Sequence, residues 1–518
     1  MMRSLFSSVS GLKSHQTRMD VIGNNIANVN TTGFKSSRTT FADTLSQTLF
    51  GASAPQDNIG GTNPKQIGLG TGVASIDLLF TDGSVQPTGK NTDLCLSGNG
   101  LFVVKRGSET YYTRDGAFEF DAEGNYVLPS SGLYVQGWTA TDGVLNTSGA
   151  AGNIKIAAGK SMAAKATAKA TYANNLNAGA PTISSITNGM ITYDTKTTGS
   201  LTAGATVTKL VQGSTTYDTT NTGSLTGTTA DPVTVTFSDG STAEVKSGTY
   251  TIGQSAPVTI TLSDGSTVTE TTGKYTVGQS LPVTTTLTVY DALGNAHSVP
   301  VYFTKTKTDS TNGNTWTVSI NTDGSGKSSI TESDGTTTSI EMANQSLQFT
   351  TDGKYKSGSG TVTLTLTNGA TGTQTVTLDL SKLTQYSGKS TVNGTSDGNA
   401  AGTLSSVSVD SSGIITGAYT NGVKQTEAQV AVAQFTNASG LTKTGNSLYQ
   451  ESNNSGTANV KTASDLGVTI TPSALEMSNV DIANEFSDMI ITQRGFQSNS
   501  KIITVGDEML ETLINMKR

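Results

Sequence analysis

The sequence predicts a mainly β chain with α-helical termini, and three observations lead there. All 10 prolines lie between Pro55 and Pro472, so both ends are free of the strongest helix breaker. Within those ends apolar residues recur at helical spacing. Between them, short Val/Ile/Thr/Tyr runs alternate with Asp-Gly and Asn-Gly pairs, the strongest short-range hairpin signal.

Composition agrees with that division. Of 518 residues, 14% are charged, against ~25% for an average soluble domain, and 58 are glycines. Thr, Ser, Gly and Asn fill the difference; Thr suits a half-exposed strand, Gly and Asn the turns. One core stops growing near ~250–300 residues, so three or four modules are expected. The net charge of −7 is spread thinly, without the Lys/Arg clusters interleaved with aromatics that mark a nucleic-acid surface. Nucleic acid is not an expected partner. No apolar run reaches the ~18–20 residues of a membrane span, and the N-terminus lacks the apolar segment and cleavage site of a secretory signal. Neither membrane insertion nor a cleaved signal peptide is expected.

At the N-terminus, Leu5, Leu12, Met19 and Ile26 fall seven apart, with Val9, Ile22 and Val29 completing an apolar stripe. The stripe stops at Asn28-Val-Asn30-Thr-Thr-Gly33, where Asn, Thr and Gly favour caps and turns. At the other end Leu475, Ile482, Met489, Phe496, Ile503 and Leu510 form a seven-residue ladder flanked by Val480, Phe486, Ile490, Leu513 and Ile514. Such spacing suits a coiled-coil-like seam. Polar Asn479, Gln493, Ser500 and Asp507 at companion positions point to a helix shared among several neighbours; an amphipathic helix on a private core is the alternative.

Charge supports pairing of the ends. Residues 1–50 carry Arg3, Lys13, Arg18, Lys35 and Arg38 against Asp20 and Asp43, a net +3. Residues 471–518 carry Arg494, Lys501, Lys517 and Arg518 against seven acids, a net −3. A helix of ~25 residues with one apolar stripe has no core of its own. The stripes therefore read as a polymerisation interface, in a subunit ordered against its neighbours.

The middle carries the turn pairs Asp239-Gly240, Asp264-Gly265, Asp323-Gly324, Asp334-Gly335, Asp352-Gly353, Asn368-Gly369 and Asn421-Gly422. Two duplications lie inside it. Thr192–Leu201 recurs 24 residues later as Thr216–Leu225, and Pro232–Thr242 recurs 25 residues later as Pro257–Thr267. These copies are too few for a solenoid and read as duplicated hairpins in an inserted domain over 181–280.

No chemistry emerges. His15 lies in a helical stripe and His297 in a turn, too far apart for a Ser/His/Asp arrangement or a His/Cys metal site. Gly68-Leu-Gly70-Thr-Gly72 lacks the Lys-Ser/Thr of a phosphate loop. The Asp-Gly pairs fit hairpin turns better than calcium loops. Catalytic, cofactor-binding and metal residues: none is proposed, and an enzyme is not expected. The lone Cys95, in Leu94-Cys95-Leu96, cannot form an intrachain disulfide and reads as a small buried strand residue.

The same end segments carry a resemblance. Gly11-Leu12, then Asp20-Val-Ile-Gly23-Asn24-Asn25-Ile-Ala-Asn28-Val-Asn30-Thr-Thr-Gly33-Phe34-Lys35, then Phe41 closely resembles the N-terminal signature of the bacterial flagellar rod and hook family of axial proteins. Leu475-Glu-Met-Ser-Asn479-Val480-Asp-Ile-Ala, running through Gln493-Arg494-Gly-Phe to Ser500 and followed by Asp507-Glu-Met-Leu510, resembles its C-terminal signature. Length and the large β middle are similar to the hook members; the resemblance covers roughly 1–180 and 281–518.

It implies a concentric fold: a coiled-coil-like inner domain of 1–30 with 475–518, an extended connector over 31–75, and a β-rich middle domain of 76–180 with 395–474. Outside these would lie β-sandwich or barrel-like outer domains, over 281–394 and, outermost, 181–280. It implies a subunit that polymerises with itself into a curved, hollow joint passing motor torque from rod to filament. The implied partners are rod proteins, the hook cap, hook–filament junction proteins and the flagellar type III export apparatus, and the implied location is an extracellular appendage. A distal rod or hook-associated subunit is the nearest alternative; a secreted Thr-rich adhesin explains the middle but not the matched ends.

Overall fold

The computed structural model describes residues 2–55, 60–323, 325–332, 335–370 and 372–516. Gly324, Asp334, Lys517 and Arg518 lie outside the described residues, and so do the expected turns at Asp323-Gly324 and Asp334-Gly335 and residues 56–59 of the expected connector. The chain divides into two compact units, Met1–Ser161 with Thr403–Arg518, and Met162–Gly402.

In the first unit, α1 spans Met2–Ala27 and α2 spans Ile482–Asn515. The proline-free, periodic ends thus become the two long helices of the described chain. Asp481 caps α2, its carboxylate accepting from the amides of Ala483 at 2.9 Å and Asn484 at 3.2 Å, which satisfies two of the amides a helix start leaves open. Leu475 corrects one expectation: it is not a rung of the helix but lies in the strand Ala474–Glu476, opposite Gln86. The seven-residue spacing therefore carries one position past the Asp481 cap.

The connector is extended but doubled back. Ser37–Asp43 pairs antiparallel with Thr71–Leu78, and Ser46–Phe50 with Lys65–Gly68, making a two-stranded arm. A large, mostly antiparallel sheet follows; its neighbouring strands Lys424–Val430, Leu133–Thr139, Leu101–Arg106 and Glu109–Thr113 bury Phe102, Val104, Val135 and Val430. Cys95, in the strand Leu94–Ser97, is fully buried as read from sequence, and burial pushes its thiol up to about 11.

Two sheets of the second unit enclose one of its cores. Val283–Tyr290, Ala296–Lys307, Thr315–Ser319, Gln345–Phe349 and Tyr355–Ser357 form one. Lys327–Thr331, Thr337–Glu341, Gly360–Thr365, Thr373–Tyr386, Lys169–Asn177 and Asn393–Ser396 form the other. Tyr172, Phe303, Trp316 and Phe349 meet between them. Lys169–Asn177 runs parallel to Thr373–Tyr386 and buries Ala170, Tyr172 and Leu176 in this core. The compact division falls near 161 and 403.

Over 183–276 the duplications become two equivalent modules, one nested in the other. In the first, Ile186 opposes Ile260 and Leu201 opposes Tyr275. In the second, Leu210 opposes Val235 and Leu225 opposes Tyr250, the same register displaced by the repeat. Each module packs a glycine flat against a tyrosine: a Cβ on Gly199 would fall 2.6 Å from the Tyr193 ring, and one on Gly223 would fall 2.5 Å from the Tyr217 ring. Both modules share one core, including Leu210, Phe237 and Ile260.

Candidate assembly interface and its elbow

The helices pack through small residues. Gly11 lies against Asn499, Gly495 against His15 and Gly506 against Leu5, with an added Cβ reaching 2.9, 2.7 and 2.7 Å from those side chains. Ser8, Ser14 and Asn25 on α1 and Thr492 on α2 are buried with them. The pair runs antiparallel and is tied by one ion pair, Arg18 to Asp488 at 2.9 Å. His15 stands edge-on to Phe41 at 5.8 Å, and burial, aided by Arg18, holds its imidazole below the ordinary range.

Close approach at this seam leaves the large apolar side chains on its flanks and outside. Of the predicted interface, Ile22 is buried; Leu5, Leu12, Met19, Ile26, Leu475, Met489, Phe496, Ile503 and Leu510 are half-buried; Val9, Ile482 and Phe486 are exposed. Sequence reasoning missed Phe6, which is 66% exposed, and Ile491, Ile502, Val505 and Met509, because they fall off the seven-residue ladder. Two helix sides therefore present uncovered apolar surface of the kind that marks interaction sites. The arm adds to it with Leu45, Phe50 and Ile67, all exposed. A lone two-stranded hairpin is marginal in water.

The end motifs join the helices to the β-domain. Asn25 donates to Ser37 O and to Glu485 Oε1, both at 2.9 Å, and accepts from the Ser37 amide at 3.0 Å. Burial raises the Glu485 carboxyl from its ordinary range. Asn28 closes α1 by donating to Asn24 O at 2.8 Å. Gly33, at φ +64°, turns the chain where any side chain would collide with the backbone of Arg114 and Asp115. Phe34 is buried beneath the Lys443 ammonium, 3.8 Å from its ring centre. Asn479 accepts from the Ser36 amide at 2.8 Å and donates to Leu79 O at 2.8 Å, while Val480 is half-buried beside it.

Behind this turn lies an ionic cluster that the sequence reading did not single out. Lys35 Nζ stands 2.6 Å from Glu476 Oε1, both side chains fully buried, and also donates to Thr81 O at 2.6 Å. Buried Arg114 reaches Glu476 Oε2 at 3.1 Å and the half-exposed Asp82 at 3.4 Å. Desolvation pushes the Lys35 ammonium below its usual range against the pull of Glu476. Lys35 and Glu476, charged residues inside the two end motifs, were the available signal. The remaining motif residues, Gly23, Asn24, Asn30, Gln493 and Arg494, are exposed; Arg494 donates to Gln497 at 3.1 Å on its own helix.

Among the described residues no group of three His, Cys, Asp or Glu side chains could hold a metal ion, and no helix is long and apolar enough to cross a membrane. His297 is buried between Glu332 at 2.7 Å and Asp291 at 3.3 Å.

Family models match four stretches: a flagella basal body rod protein over 5–35, the D1 domain of flagellar hook protein FlgE/F/G over 95–180, the flagellar basal body protein FlaE D2 domain over 279–399, and the C-terminal part of flagellar basal body rod FlgEFG protein over 471–516. The flagellar hook protein FlgE of Treponema pallidum is 38% identical, covering all of both chains. That of Borreliella burgdorferi is 33% identical, again over both in full. That of Salmonella typhimurium is 30% identical over 99% of this chain and all of its own.

Proposed function

The chain belongs to the flagellar hook protein family and is a structural subunit of the flagellar hook, and from that premise we propose how it is joined to its neighbours. Copies polymerise through the outward apolar sides of α1 and α2, so that helix pairs line the innermost tube of a curved, hollow joint. The observation that carries this is the placement of small residues in the intrachain seam while Phe6, Phe486, Ile491 and Ile502 stay exposed outside it. The elbow at Gly33–Lys35 and Glu476–Asn479 makes each helix pair continuous with its β-domain, as torque transmission requires. Ser/Thr-rich β-surfaces exchange wet, weak contacts as the joint bends. Rod proteins, the hook cap and the hook–filament junction proteins meet the same polymer at its two ends. The chain reaches this extracellular appendage through the flagellar type III export apparatus.

The test uses the full chain. Phe6→Glu combined with Phe486→Glu places charge on both exposed helix sides; melting is expected to be unchanged, and tubes seen by negative-stain microscopy in the parent are expected to be lost. Tubes of normal diameter from the double variant would overturn the terminal-helix account.

A further inference from the structure

The helix pair carries a charge pattern that the chain itself does not consume. Because Gly11 meets Asn499, His15 meets Gly495 and Arg18 meets Asp488, charged residues on both helices can be ranked along one axis. Over 11–16 of α1 and 494–501 of α2 the charged side chains are Lys13, Arg494 and Lys501, a net +3. All three are exposed, and among the described residues none is ion-paired to a carboxylate. The arm's Asp43, opposite Thr71, leaves this band positive. Towards the Asp481 end lie Asp20, Asp481, Glu485 and Asp488 against Arg18, a net −3, and on the other side of the basic band lie Asp507, Glu508 and Glu511 against Arg3, a net −2. The basic band and the Asp481-end band are centred thirteen residues apart on α2, about 20 Å at 1.5 Å per residue. That exceeds the ~8 Å over which charges are screened at physiological salt, so a neighbour meets them separately.

We propose that helix pairs of adjacent copies dock with an axial stagger that sets the basic band of one against the Asp481-end acidic band of the next, the more strongly charged of the two acidic bands. The proposal rests on the reading above that the terminal helices are the polymer contact, and its partner is a second copy of this chain. Unstaggered parallel copies would set like charge on like charge. Apolar side chains exposed from Ile482 to Ile514 tolerate many offsets, because apolar attraction is non-directional. Charge selects among those offsets, as it sets register and partner choice at other interfaces.

Assembly of the full-length chain, measured by sedimentation and negative-stain microscopy from about 50 to about 300 mM NaCl, tests this. Arg494→Glu with Lys501→Glu is expected to raise the concentration needed for tubes about tenfold, with unchanged melting, and adding Asp20→Lys is expected to restore part of it. If the double reversal disturbs folding, Arg494→Gln with Lys501→Gln gives the same test with a smaller shift. Parent assembly is expected to weaken as salt rises. Wild-type assembly by the reversal variant, or no restoration by Asp20→Lys, overturns the banding. If Phe486→Glu abolishes tubes while the reversal does not, the banding alone is wrong; if both assemble normally, the helix contact itself is wrong.

Discussion

The terminal helices and the nested modules over 183–276 solve opposite problems with one chain. The modules turn their large apolar side chains inward: Ile186, Leu210, Val235 and Ile260 are fully buried, and among the described residues none of the large exposed apolar side chains comes from this stretch. The helices turn glycine, serine and threonine inward and leave Phe6, Phe486 and Ile491 in water. A core closed within one chain supplies its own stability, whereas a helix stripe draws its order from whatever covers it. Which way the apolar residues face therefore separates a surface left open to a neighbour from a core closed within one chain.

The largest expected effect breaks the comparison at the elbow. Glu476→Ala leaves Lys35 and Arg114 buried without their shared carboxylate, and losing one partner of a buried ion cluster costs about 3–5 kcal/mol. Thermal melting should show that loss in the unit containing the helices, together with failure to assemble; a drop below about 1 kcal/mol would mean that water reaches the cluster. The next effect tests the modules. Ile186→Ala and Leu210→Ala remove equivalent side chains, one from each copy, and each should cost about 2–5 kcal/mol while tubes still form. Unequal losses would show that the nested copies do not share one core evenly.

What sequence could reveal followed the range of the interaction. The helices and the turns at Gly240, Gly265, Gly353, Gly369 and Gly422, all at positive φ, are set by residues a few positions apart, and all were legible. So was the duplication. Its nested pairing was not, because Leu201 finds Tyr275 and Leu225 finds Tyr250 only through long-range strand choice. The elbow joins Lys35 and Arg114 to Glu476 across several hundred residues, which no local pattern encodes. The helix ladder was legible as a stripe, but not as to which side faces the partner helix: Gly11, Gly495 and Gly506 decide that, and glycine is silent in a hydrophobic pattern. Leu475 shows the same limit from the other side, since periodicity alone could not tell a strand residue from a helix rung.

The smallest effect sharpens the contrast within the helix pair itself. Arg18 and Asp488 meet at 2.9 Å, but their side chains remain 27% and 50% exposed, so water already solvates both and screens their attraction. Exposed pairs of this kind are worth about 0–1 kcal/mol. Arg18→Gln should therefore lower stability by less than about 1 kcal/mol, and the difference from the parent should shrink as salt is raised, read by melting at two ionic strengths. Gly506→Val, in contrast, would press branched carbon into Leu5 at the seam and part the helices. If Arg18→Gln proved the more damaging of the two, the pair would be held by charge and not by close approach, and the outward placement of its large apolar side chains would need another cause.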